Sequence, residues 1–286
     1  MKTGSITKKM LMAALCVLPL QVNAQGIVVN KTDGSKVYYK AEEVESVGVY
    51  GYGEEPETET TFTVNGVSFT MVPVEGGTFQ MGSDDDYNAN PVHQVKVSSF
   101  SIGQTEVTQE LWEAVMGSNP SYFKGSKLPV ENVSWDYCQL FIAQLNQLTG
   151  KHFRLPTEAE WEFAARGGNT SKGYNYSGSD NIEAVAWYYD NSGEKTHDVA
   201  GKQPNELGLY DMSGNVREWC QDLYGKYYLS SIVTNPTGPI MGDNGLTSRV
   251  DRGGSWDGGA EDCRVSHRDR YAPSLAHDFL GLRLAL

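Results

Sequence analysis

Between Asp211 and Glu218 the chain reads Asp-Met-Ser-Gly-Asn-Val-Arg-Glu, which puts two carboxylates, an amide and several backbone carbonyls into one short stretch. A hard cation such as calcium takes about six to eight oxygen ligands, and a tight turn containing glycine lets carbonyls converge on it. The same residues suit a plain turn in which Glu218 pairs with a nearby arginine, and taken alone they favour that reading. The cysteines are Cys16, Cys138, Cys220 and Cys263. If the segment holding Cys16 is removed, three remain, so at least one thiol stays free or pairs outside the chain. The histidines, His93, His152, His197, His267 and His277, show no zinc-pair spacing. Ser255 follows Gly253-Gly254, but Asp257 stands where a nucleophile elbow needs its second glycine, so a Ser-His-Asp hydrolase is not supported.

Two further groups could do chemistry. Arg249, Arg252, Arg264, Arg268, Arg270 and Arg283 concentrate positive charge near the C-terminus. They could grip a carboxylate or a peptide backbone, or brace the fold through internal ion pairs. Internal pairing is the expectation for Arg252, Arg264 and Arg283; Arg268 and Arg270 stay open. Tyr174, Tyr176, Trp187, Tyr188 and Tyr189 cluster in expected loops, as do Tyr224, Tyr227 and Tyr228. Such rings form either a recognition surface or the core of a fold short of regular structure.

The elements that must position these residues can be read from period and punctuation. Strands are expected over Phe62–Val67, Phe69–Val74 and Gly77–Met81, and Val92–Ile102 alternates apolar with polar. Thr108 can cap a helix that runs to Met116 and stops at Gly117. Ser134 can cap a longer one, in which Tyr137, Cys138, Phe141, Ile142, Leu145 and Leu148 recur at helical spacing before Gly150. Thr157 and Glu160 form a capping-box pattern ahead of Trp161. From Gly167 onward turns and short strands dominate. The class is α+β, with little regular secondary structure.

The 286 residues are 39% hydrophobic and 21% charged, which allows a sizeable core, and the net charge of -13 argues against a nucleic-acid partner. Residues 1–24 read as a signal peptide: Lys2, Lys8 and Lys9, an apolar run from Met10 to Leu20, and cleavage after Ala24. That implies a secreted, periplasmic or cell-envelope protein, and no later run is long enough to span a membrane. Residues 25–50 suggest a small β segment, with strands over Ile27–Val29, Lys36–Tyr39 and Val47–Tyr50 around an Asp33-Gly34 turn. Residues 51–60 are an acidic linker, and 61–286 form the main domain.

Four stretches give that domain a family resemblance: Gly76–Gly82 (GGTFQMG), Arg154–Glu162 (RLPTEAEWE), Gly208–Trp219 (GLYDMSGNVREW), and Arg252–Trp256 (RGGSW) with Gly281-Leu282-Arg283. Together they resemble the formylglycine-generating-enzyme, or sulfatase-modifying factor, family. The resemblance implies a loop-rich fold related to C-type lectin domains. By position it implies a structural calcium ion held by Asp211, Gly214, Val216 and Glu218, with Gly214 and Val216 acting through carbonyls. A second family calcium site expects an asparagine that Ala184-Val185-Ala186-Trp187 lacks.

Enzymes of the family hold copper(I) between two cysteine thiolates, a soft-ligand pair suited to that ion, and oxidise a substrate peptide cysteine to formylglycine with oxygen. The first thiol position is Gly258 here and the second is Cys263. Ser255 matches the family serine beside the active site, so Cys263 and Ser255 are the catalytic positions that the resemblance carries over. Arg217 replaces an aromatic residue before the loop glutamate. The resemblance therefore implies an exported, calcium-stabilised binding or envelope-assembly module with a protein, peptide or glycan partner and no oxidase activity. The alternative is a copper-dependent formylglycine-generating oxidase with an altered thiol arrangement. The resemblance also brings Cys220 and Cys263 into one region, where a disulfide and two separate buried thiols are both open.

Overall fold

The structure is a computed structural model that describes residues 21–23, 26–30, 36–40, 60–225, 233–242, 245 and 247–286. Residues 1–20 of the expected signal segment, the linker up to residue 59, the strand expected over Val47–Tyr50, and Tyr227 and Tyr228 lie outside the described residues. The chain divides into two compact units, Met1–Thr58 and Glu59–Leu286. In the first, β1 (Gln21–Asn23), β2 (Gly26–Asn30) and β3 (Lys36–Lys40) form an antiparallel sheet in that order. Cleavage after Ala24 would remove β1.

The second unit opens with a hairpin of β4 (Thr61–Val64) and β5 (Val67–Val74). The expectation of one strand through Val67 is corrected here. Asn65 and Gly66 both take positive φ, 49° and 86°, and turn the chain between two strands. An Asn-Gly pair adopts that conformation at little cost and is the strongest short hairpin signal. β8 (Phe100–Gly103) pairs with β5 on its other side. A second sheet joins β6 (Gly77–Met81) to β7 (His93–Val97), with β10 (Val233–Thr234) parallel beside β7.

Three helices start where the caps place them. α1 (Gln109–Met116) begins when Thr108 accepts from the Leu111 N–H, and α2 (Trp135–Thr149) begins when Ser134 accepts from Tyr137. Both end on a left-handed glycine, Gly117 and Gly150. α3 (Glu158–Ala165) carries the full reciprocal capping box of Thr157 and Glu160. A short α4 (Ile182–Val185) follows.

Trp112 stacks on Phe141 at 4.7 Å where α1 meets α2. Trp161 and Phe163 of α3 fill a second core cluster. Each fully buried side chain of this kind contributes about 1.5–3 kcal/mol. The last sheet, β9 (Arg217–Leu223), β11 (Arg249–Arg252), β12 (Arg268–Tyr271) and β13 (Leu280–Gly281), runs in the order β12-β11-β9-β13. β9 and β11 frame the two chemically suggestive segments, the loop ending at Glu218 and the turn beginning at Gly253.

Candidate functional site

The loop before β9 is drawn tight by its backbone. Asp211, Gly214 and Asn215 all have positive φ. A Cβ on Gly214 would come within 2.3 Å of the Trp187 carbonyl oxygen, so only glycine fits. Asn215 locks the turn from inside: its Oδ1 accepts from the His197 N–H, and its Nδ2 donates to Glu106 at 2.8 Å. The other Glu106 oxygen accepts from the Val216 N–H at 3.0 Å. Asp211 Oδ2 accepts from Ala200 N–H at 2.7 Å. Glu218 is fully buried; its oxygens accept from Trp161 Nε1 at 2.6 Å and from Arg283 at 2.6 and 2.9 Å.

Asp211, Gly214, Val216 and Glu218 thus share one turn, as expected, but the Glu218 carboxylate is engaged by a buried guanidinium and an indole. To bind calcium it would have to give up its bonds to Arg283, whose other donors go to the Gly103 and Tyr210 carbonyls. Among the described residues no group of three His, Cys, Asp or Glu is arranged to hold a metal ion. As arranged, the side-chain donors do not fit calcium; Arg283 supplies the positive charge that Glu218 requires. Burial first, then Asp211 and Glu218, pushes Glu106 well above the usual carboxylate range. Burial likewise raises Asp211 to about 6.

The turn after β11 holds the expected oxidase positions. Gly253 and Gly254 have positive φ, and Cys263 packs against the turn: its Sγ would lie 2.8 Å from a Cβ on Gly254. The Cys263 thiol is fully buried, and burial followed by the charge of Asp262 pushes it up to about 12. At neutral pH it is a thiol, whereas soft-metal binding needs the thiolate. A Cβ on Gly258 would face Asp262 Oδ2 at 3.0 Å. That oxygen also accepts from Gly259 N–H at 3.0 Å and lies 3.8 Å from Arg217.

Arg217 lies within ion-pair reach of three aspartates, Asp251 at 3.2 Å, Asp269 at 3.5 Å and Asp262. His267 bridges Asp262 at 3.4 Å and Asp86 at 2.9 Å. An ionic cluster of hard groups therefore stands where the resemblance implies a two-sulfur copper site, and the residues present do not fit copper(I). Ser255 is buried and donates to Asp257 Oδ1 at 2.6 Å.

The Cys220–Cys263 disulfide is not formed; Cys138, Cys220 and Cys263 are all free and buried. The reason is packing: Cys220 sits in the cluster of Trp161 and Val250, Cys263 in that of Ala186 and Tyr188. Of the arginines, Arg252 is bonded to Glu162 and Arg283 to Glu218, as expected. Arg268 also proves internal, with Glu158 oxygens at 2.6 and 2.7 Å. Arg264 and Arg270 are exposed instead, and Arg270 lies over the Tyr224 ring.

Beside this turn opens a cleft walled by Tyr122, Phe123, Tyr189 and Trp256, with Glu194, Asp257 and Asp278 on its surface. Among the described residues, Tyr189 is the one ring of the suspected loop aromatics that lines it. Tyr122-Phe123 went unnoticed in the sequence, although two adjacent aromatics within Asn-Pro-Ser-Tyr-Phe-Lys-Gly were a usable signal.

The geometry has clear counterparts among known proteins. A 34% identity over 269 residues links the chain to the chaperone protein LppX of Paenibacillus barcinonensis, covering 76% of this chain and 89% of that protein. The formylglycine-generating enzyme of Streptomyces coelicolor is 33% identical over 190 residues, which cover 61% of this chain and 57% of the enzyme. Among solved structures, Treponema denticola variable protein 1 is 38% identical with a TM-score of 0.73, over 79% of this chain and 97% of that one. The fold is therefore the α+β, loop-rich fold of the formylglycine-generating enzymes. The FGE-sulfatase profile, described as the sulfatase-modifying factor enzyme 1-like domain, matches residues 57–286, and the chain belongs to that family.

Proposed function

We propose that this chain is a non-oxidising member of its family that works as an exported binding module, with the cleft beside Trp256 as its binding site. One observation carries the reading: Cys263 is a single buried thiol, and at the other thiol position implied by the resemblance stands Gly258, where a Cβ would face the Asp262 carboxylate. Two-thiolate copper chemistry has no second ligand to start from. The similarity to a protein named a chaperone supports a protein or peptide as the partner. The basic and then apolar first residues support export.

Incubating the purified chain with copper, oxygen and a Cys-x-Pro-x-Arg peptide, followed by mass spectrometry, tests the reading. The peptide is expected to emerge with its cysteine intact. Turnover to the aldehyde mass would reverse the assignment.

A further inference from the structure

α2 has two faces of different character. Cys138, Phe141, Ile142 and Leu145 are buried and anchor it in the core. The opposite side is exposed and carries Leu140, Ala143, Gln144, Gln147 and Leu148. Leu140 is 61% exposed and Leu148 is 49% exposed. The outward side of a surface helix ordinarily carries charged residues. Here no charge stands between Asp136, in the first turn, and Lys151, past the end of the helix.

The spacing along this face is symmetric. Residues four apart form one ridge of a helix, and Asp136, Leu140, Gln144 and Leu148 lie on one such ridge. Gln144 is the midpoint between the two leucines. A two-fold axis through Gln144 that sets two copies of α2 antiparallel brings Leu140 of each copy against Leu148 of the other. Such an isologous contact pairs residue i with j and j with i. The glutamine on the axis meets its own copy, and its amide, donor and acceptor at once, can bond to that copy. Ala143 on the neighbouring ridge is small enough to let the two backbones approach.

Charge agrees with the antiparallel sense. Asp136 marks one end of the face, and Lys151 and His152 follow Gly150 at the other. Asp136 and His152 are exposed, and the Lys151 Nζ lies over the Phe62 ring, 5.7 Å from its centre. At about 1.5 Å of rise per residue, Asp136 stands about 12 Å to one side of Gln144, and the Lys151 turn lies a similar distance to the other. Antiparallel copies therefore set acid beside base at both ends, whereas parallel copies would set acid beside acid and base beside base. Copies of a chain with net charge -13 repel one another at long range, so they associate best through a patch that is free of charge and complementary at its ends.

We propose that the outer face of α2 is a self-association surface, through which two copies of this chain pair antiparallel about Gln144. The proposal is independent of the non-oxidising reading and of the cleft beside Trp256. One helix face buries less than the roughly 1,200 Å² of total surface that stable complexes reach, so the dimer is weak and its population depends on concentration.

Sedimentation equilibrium of the purified chain, from about 1 µM to about 1 mM, is the test. The expected result is a mass that rises with concentration from one chain toward two. Leu140→Glu sets a carboxylate against the partner's Leu148 and should raise the dissociation constant at least about tenfold, with the thermal midpoint preserved because the position is exposed. Gln144→Cys should link two copies on mild oxidation, since the residues on the axis face each other and the native thiols are buried. Leu140→Cys alone should not link, because two copies of residue 140 stand about 12 Å apart along the helices; a mixture of Leu140→Cys and Leu148→Cys chains should. A mass of one chain throughout, a dimer that Leu140→Glu leaves unchanged, no link through Gln144→Cys, or Leu140→Cys chains that link as readily would overturn the proposal.

Discussion

Glu218 is held by Arg283 and Trp161 at once, and all three are fully buried. The pair is sound only while both charges are present. Replacing Glu218→Gln leaves the guanidinium without its counter-ion and should cost about 3–5 kcal/mol, read as the loss in unfolding free energy in urea. The same geometry predicts that excess EDTA leaves the thermal midpoint unchanged, because the cation that Glu218 requires is part of the chain. A drop of several degrees on chelation, restored by calcium, would return the loop to the metal role implied by its resemblance. The replacement of the first thiol by Gly258 was legible from the family resemblance around Arg252–Trp256. That Asp262 faces the gap was not, because its position depends on a turn closed by Gly259, five residues of irregular backbone with no periodicity to read.

The helices were the most legible elements. Their N-caps, Thr108, Ser134 and Thr157, each make the side-chain bond that the residue type announces. α3 matters most, because it carries Glu158 and Glu162, which bind Arg268 of β12 and Arg252 of β11. Thr157→Ala removes half of the capping box and should destabilise the protein by about 1 kcal/mol, measured by denaturant midpoint. The strands were harder to read. Val92–Ile102 reads as one alternating segment, yet the alternation breaks at Ser98-Ser99, where the chain leaves the sheet and an Asn235 side chain accepts from the Ser98 N–H from across the fold. Such long-range contacts leave no local trace. The Asn65-Gly66 turn did leave one and was passed over because the apolar residues on both sides read as a single run.

At the scale of the molecule, many acids are buried with fewer cations beside them. Burial raises Glu131 and Asp251 to about 7, and burial with the charge of Glu158 raises Asp222 to about 8. A carboxyl raised in the folded state stabilises the fold fully below its unfolded pKa of about 4 and loses that contribution as pH climbs through the folded value. The thermal midpoint should therefore fall between pH 5 and pH 8.5, and Asp222→Asn should flatten the upper part of that decline, while keeping an oxygen for the Glu158 N–H. A midpoint that rises over this range would contradict these assignments. Glu162 behaves oppositely: Arg252 and Arg166 outweigh its burial and hold it below the usual carboxyl range, so its contribution disappears only in acid.

The family fold is retained, and the proposal that its copper chemistry is not turns on one sulfur standing alone. Copper(I) titration of the reduced protein against a competing chelator of known affinity measures that directly. With Cys263 buried and glycine rather than cysteine at position 258, the chelator should keep the metal. Uptake of one copper per chain, with an absorption-edge spectrum of two sulfur ligands, would contradict the account.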